Sequence, residues 1–111
     1  MRRRVVDEEE MPVVVFVNKL ILTGSPEELE AAYAEVAEFM LTQPGLVRFQ
    51  FVRSLEHPEV YFNIAEWEDK ESLDRSLADP EFHARVSRVF PLIKGDPHVT
   101  TVIQRGAPAQ V

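Results

Sequence analysis

Apolar positions recur with two different periods along this chain, and each change of period marks the edge of an element. Residues 13–22, VVVFVNKLIL, are apolar at nearly every position, which predicts a strand with both faces covered. The period then lengthens. In TGSPEELEAAYAEVAEFML, the residues Leu29, Ala32, Tyr33, Val36, Phe39 and Met40 share one stripe at helical spacing, which reads as core. Thr23 and Gly24 form the entry turn, Ser25 is the N-cap, Pro26 takes the first helical position and Glu28 completes a capping box. QPG at 43–45 ends the helix, because Pro44 disfavours a helical Gln43 and Gly45 permits a tight turn. Strand patterns follow over 46–55 and 60–68, joined by the short hairpin connection EHPE. A short helix over 69–79 has Asp69 as cap and Leu73 and Leu77 as anchors. Another over 79–93 has Asp79 as cap, Pro80 at its first position and an apolar stripe of Phe82, Val86, Val89 and Phe90. KGDP ends it, and HVTTVIQRG (98–106), rich in β-branched residues, predicts the last strand.

The order β-α-β-β-α-(α)-β is the split βαβ, ferredoxin-like arrangement of the α+β class, with a four-stranded antiparallel sheet and its helices on one face. Helices on one face leave the first strand's other face uncovered. The sheet of a second copy is the simplest cover, which predicts a homodimer forming a dimeric α+β barrel with a shared interior.

Composition narrows the function classes. The chain has 111 residues, enough for one domain with a real core. A net charge of −7 argues against a nucleic-acid partner, which needs a basic face. The absence of cysteine excludes disulfides, thiolate metal sites and catalytic thiols. No apolar run is long enough to span a membrane, and the start lacks the apolar centre of a signal peptide, so a cytoplasmic protein is expected. Residues 1–11, three arginines and then four acids without apolar period, read as a flexible, solvated arm. Residues 12–106 form the domain and 107–111 a short tail.

The familiar catalytic devices are missing. His57, His83 and His98 have no ligand spacing, so no metal site is expected. There is no nucleophile elbow, phosphate loop or dinucleotide fingerprint. What stands out is polar residues inside apolar strands. Asn18 shares a face with Phe16 and Leu20 of the first strand. Tyr61, Asn63, Ala65 and Trp67 share one face of the third, opposite Phe62 and Ile64, which read as the helix-facing core. A buried amide left unsatisfied costs about 1–3 kcal/mol. Two amides and an indole donor on neighbouring strands suggest either a satisfied structural network or a polar cluster in an apolar pocket for a small molecule. On the second strand, either Phe49, Phe51 and Arg53 or Arg48, Gln50 and Val52 face that pocket, depending on hairpin register. His83 borders the apolar stripe of its helix and reads as a boundary histidine or a general base.

The motifs FVNKL, QPGLVR and NIAEWEDKESLDRSL followed by DPEF make the chain resemble the antibiotic biosynthesis monooxygenase family, over about residues 12–106. The pattern FVN…QPG.VR…NIA.W looks most like the cofactor-independent anthrone oxygenases of aromatic polyketide pathways. The resemblance implies Asn18, Asn63 and Trp67 as catalytic residues, with Phe16, Leu20, Tyr61, Ala65, Phe51, Arg53, His83 and Val86 around the substrate. It implies dioxygen as co-substrate, no cofactor and an aromatic substrate oxidised to a quinone. An aromatic polyketide cyclase on the same barrel, or a non-catalytic binding protein of a biosynthetic cluster, is the alternative. In the haem-degrading branch a histidine of the helix after the tryptophan strand ligates iron. Val86 stands at that position here and His83 is nearly a turn away, which disfavours haem degradation.

Overall fold

A computed structural model describes residues 13–109; the arm expected at 1–11 and the last two residues of the tail lie outside the described residues. Strand β1 (Val14–Leu22) is followed by α1 (Pro26–Met40), β2 (Leu46–Arg53), β3 (Val60–Trp67), α2 (Lys70–Leu77), α3 (Pro80–Val86), a 3-10 turn (Phe90–Leu92) and β4 (Ile93–Thr101). The sheet is antiparallel in the order β2-β3-β1-β4, the ferredoxin-like topology, with the helices on one face.

Each helix starts where a short polar side chain replaces a missing backbone partner. Ser25 Oγ accepts from Glu28 N at 3.2 Å, Asp69 Oδ1 from Ser72 N at 2.7 Å and Asp79 Oδ1 from Glu81 N at 2.8 Å. The QPG turn puts Gly45 at φ 95°, where a Cβ would also lie 2.4 Å from the Ser72 side chain. That close approach seats α2 against the start of β2.

The register places the helix-side residues in rows. Phe51, Asn63, Asn18 and Pro97 form one row, and Phe49, Ala65, Phe16 and Val99 the next. A bulge at the start of β2 lets Leu46 join the same face beside Trp67. Leu20, Leu29, Val36, Tyr61 and Val89 pack one buried cluster, and Ala65, Trp67 and Leu73 a second. The opposite face carries Val15, Val17, Lys19 and Ile21 of β1 with Phe62 and Ile64 of β3, and among the described residues no helix covers it.

Three expectations change. Phe62 and Ile64 face away from the helices; Tyr61, Asn63, Ala65 and Trp67 face them, because α1 packs on the side where β3 carries its largest rings. The long final helix stops at Val86, and Pro91, which has no N–H, sits inside a separate 3-10 turn. KGDP lies within β4, which runs five residues earlier at both ends than HVTTVIQRG suggests. β4 is an edge strand, where Gly95 and Pro97 are tolerated, and its nine residues are set by pairing along β1, from Leu22 opposite Ile93 to Val14 opposite Thr101.

Helix α3 has no fully buried residue. It is fastened by Arg85, whose Nη1 donates to the Glu35 carbonyl at 2.6 Å and to Glu38 at 3.0 Å on α1, while its Nε is steadied within the helix by Glu81 at 2.7 Å. Arg88 also pairs with Glu35. Among the described residues no helix is long and apolar enough to cross a membrane.

Candidate active site

The helices do not close fully on the sheet. A cavity of about 430 Å³ lies between them, within the size range of small-molecule sites. Its floor is the helix-side face of β1 and β3. Its roof comes from Tyr33, Val36 and Met40 of α1 together with Leu73, Leu77, Phe82 and Val86. Phe90, Pro97 and Val99 are the exposed members of the wall, so the mouth lies between the 3-10 turn and the edge strand β4. The pocket is thus built within one chain, and not in the shared interior of two sheets.

Asn18, Asn63 and Trp67 converge on this cavity. The two asparagines are direct cross-strand partners, so both amides rise from the floor side by side. Each amide oxygen is already used. Asn18 Oδ1 accepts from the Asp96 backbone N–H at 2.9 Å, and Asn63 Oδ1 accepts from the Tyr33 hydroxyl at 2.7 Å. Among the described residues neither Nδ2 has an acceptor, so both amides keep N–H donors for a ligand. Trp67 is 1 % exposed, and its Nε1 has no hydrogen-bond partner among the described residues. A buried donor without a partner is costly, and a ligand oxygen would relieve that cost.

The cavity wall is otherwise uncharged. Among the described residues no Asp, Glu, Lys, Arg or His lines it. Tyr33 is the only acidic side chain there, and burial pushes its pKa upward, so its hydroxyl stays protonated. The site therefore offers hydrogen-bond donors in a water-poor apolar setting and no strong base.

Of the other candidates, Phe16, Leu20, Ala65 and Val86 line the cavity and four stand outside its lining. Phe51 stacks on the Tyr33 ring at 3.8 Å and supports the wall from behind. Tyr61 is buried beyond it, its hydroxyl donating to Glu30 at 2.8 Å. Arg53 lies over the Tyr61 ring and donates to the Pro58 carbonyl at 2.7 Å, because the hairpin register pairs it with Tyr61 at the far end of the strands. The same register settles which face of β2 meets the helices: Phe49, Phe51 and Arg53. His83 is turned to the surface, with Nε2 2.8 Å from the Leu77 carbonyl oxygen; that oxygen only accepts, so Nε2 carries the proton.

Val86 presents an isopropyl group to the cavity where the resemblance would put an iron-ligating histidine. Among the described residues the lining offers iron no imidazole or thiolate, the Tyr33 hydroxyl is occupied by Asn63, and the Met40 thioether alone is a weak ligand, so these residues fit a haem poorly. Sequence pattern alone assigns Tyr33 to the core stripe of α1. The available signal was a hydroxyl on an apolar helical stripe, since a buried tyrosine oxygen needs a partner.

Comparison with known proteins bears on the family and the fold. Residues 11–88 match the family described as antibiotic biosynthesis monooxygenase. Deoxynogalonate monooxygenase of Streptomyces nogalater is 39% identical over 92 residues, 81% of this chain and 78% of that protein. A mycobilin-producing heme oxygenase of Mycobacterium tuberculosis is 30% identical over 86 residues, 77% of this chain and 82% of that protein. Among solved structures, SnoaB, a cofactor-independent oxygenase from Streptomyces nogalater, superposes with a TM-score of 0.81 at 33% identity, covering 85% of this chain and 96% of its own.

Proposed function

The chain belongs to the antibiotic biosynthesis monooxygenase family, and we propose that it is a cofactor-independent monooxygenase that oxidises an anthrone- or phenol-type aromatic polyketide intermediate to a quinone with dioxygen. The observation that carries this reading is the donor set: the unpartnered Trp67 indole N–H beside the two asparagine amides, in a cavity without charge. A flat substrate slides between Phe16 and Ala65 on the floor and the α1 roof, with its carbonyl oxygen towards the donors. Asn18, Asn63 and Trp67 then act as catalytic residues.

An anthrone is a weak carbon acid. Donors aimed at its carbonyl oxygen stabilise the enolate more than the neutral ketone, so they lower the barrier to losing the C–H proton. With no basic side chain lining the cavity, the substrate's own acidity and water at the mouth carry that proton. The enolate gives one electron to dioxygen, and the resulting radical pair joins as a carbon–peroxide bond. Protonation of the peroxide, loss of the second hydrogen from that carbon and cleavage of the O–O bond release water and leave the quinone. Anthrone and dioxygen thus give quinone and water, with no cofactor drawn on. The apolar walls strengthen the hydrogen bonds and keep bulk water from the radical pair.

The uncovered face of the sheet supports a homodimer, with Val15, Val17, Phe62 and Ile64 meeting their counterparts in a second cytoplasmic copy. The function is tested with purified metal-free protein and dithranol, a model anthrone, in air. Oxygen uptake matched one to one by quinone is the expected result. Dithranol bound without oxygen uptake would overturn the reading.

A further inference from the structure

The Tyr33–Asn63 hydrogen bond decides which end of an amide the substrate meets. A primary amide has a donor end and an acceptor end of nearly equal size, and only its hydrogen-bond partners tell them apart. An Asn63 turned by half a rotation would put its oxygen next to the substrate oxygen and would repel an enolate. Tyr33 opposes this: its hydroxyl has no other acceptor among the described residues, so a turned Asn63 would leave the buried O–H donor without a partner. The Tyr33 hydroxyl donates to Asn63 Oδ1 at 2.7 Å, while its ring is locked by stacking on Phe51 at 3.8 Å with 8° between the planes and by a tilted contact with Phe49. The ring is 8% exposed, and burial keeps the hydroxyl protonated, so the donor is constant over the working pH range. The partner amide is held by the same logic from the other side, since the Asp96 backbone N–H takes Asn18 Oδ1. One amide of the cross-strand pair is thus oriented from α1 and the other from the edge strand.

We propose that Tyr33 is a positioning residue of the reaction, fixing Asn63 with its N–H donors toward the substrate oxygen. The inference rests on the monooxygenase reading and gives that site an element beyond its three donors. It distinguishes the tyrosine from a residue that only fills the core: deleting the hydroxyl acts through Asn63 or not at all.

The test is a double-mutant cycle in dithranol oxidation. Tyr33→Phe keeps the ring stack and removes one oxygen. It lowers kcat by about tenfold or more and changes KM by less than about threefold, because an interaction that matters most as charge develops is lost from the transition state. In an Asn63→Ala background the same change lowers kcat by less than about twofold. A full multiplicative loss in that background, or an unchanged kcat in Tyr33→Phe, overturns the proposal. Thermal melts run alongside report folding separately. If the wild-type protein fails to oxidise dithranol, the monooxygenase reading falls, and the cycle is then read in binding of alizarin, whose phenolate stands in for the enolate oxygen. Binding is followed by quenching of Trp67, the single tryptophan of the chain. Weaker binding on Tyr33→Phe only when Asn63 is present supports the positioning role. Equal weakening with and without Asn63, or none in either, overturns it.

Discussion

Two rows of the sheet, one residue apart, show how differently its faces are built. On the helix side the row Phe51–Asn63–Asn18–Pro97 is polar at its centre and apolar at its ends. On the open side the row Gln50–Ile64–Val17–His98 is apolar at its centre and polar at its ends. The first arrangement places half-buried amides on an apolar cavity, and each amide oxygen there has a dedicated partner. The second places aliphatic side chains where, in a single chain, water has access, and polar groups at the rim. The proposed chemistry uses the first pattern and the proposed association the second. A central apolar patch with a polar rim is how protein interfaces are commonly organised.

The largest expected effect breaks the helix-side row. Trp67→Phe and Asn63→Ala each lower dithranol turnover by about 100-fold, the scale of losing one donor to a developing oxyanion, while sedimentation shows the assembly intact. Unchanged rates in both variants would leave the donors as ligand supports only. Next comes the open row. Ile64→Glu sets like charges facing each other across the proposed two-fold contact and weakens association by tenfold or more in analytical ultracentrifugation. Turnover per chain falls by less than about fivefold, because the cavity is built within one chain. If Ile64→Glu abolishes turnover as Trp67→Phe does, the two faces are not separable.

A smaller effect comes from pH. The folded-state pKa of Tyr33 is raised by burial, so its contribution to stability is complete below the unfolded value of about 10 and is lost as pH rises toward the folded one. The wild-type melting temperature therefore drops above about pH 10, and Tyr33→Phe flattens that decline. A residual slope remains from Tyr61, which burial and the Glu30 carboxylate also shift upward. Glu66→Gln is the mildest change. Glu66 pairs with Arg48 at 2.9 Å on the open face, and an exposed pair is worth under about 1 kcal/mol in a lone chain. A clearly larger cost in urea unfolding would mean that a second copy buries the pair.

Much of the fold could be read from the sequence because its signals are local. Ser25, Asp69 and Asp79 cap helices in the sequence and in space, and Gly45 turns the chain where QPG stands. The three donors were legible because an amide or indole interrupting an apolar strand is conspicuous. What could not be read depends on neighbours distant in sequence. Alternation sorts β3 into two faces but does not say which one α1 covers, so the pocket was expected on the wrong side. Gly95 and Pro97 look like breakers until β1 supplies a paired edge along which they can lie. Tyr33 hides in a helical stripe, and its role emerges only once Asn63, thirty residues on, is brought within 2.7 Å. His83 and Arg53 are drawn to the carbonyls of Leu77 and Pro58, partners that side-chain chemistry alone does not announce.

The fastening of α3 has a consequence for how the cavity responds to its medium. This helix supplies Phe82 and Val86 to the wall, yet Arg85 within it and Arg88 just past its end tie it to the carboxylates of Glu38 and Glu35 on α1. The floor of the cavity is held by exclusion of water, which sulfate strengthens, whereas surface ion pairs are screened within about 8 Å at physiological ionic strength and more tightly above it. A sulfate salt thus acts on roof and floor in opposite senses, whereas sodium chloride acts chiefly by screening. Rising sodium chloride loosens this section of wall first, and hydrogen exchange there quickens while the amides of β1 and β3 stay protected.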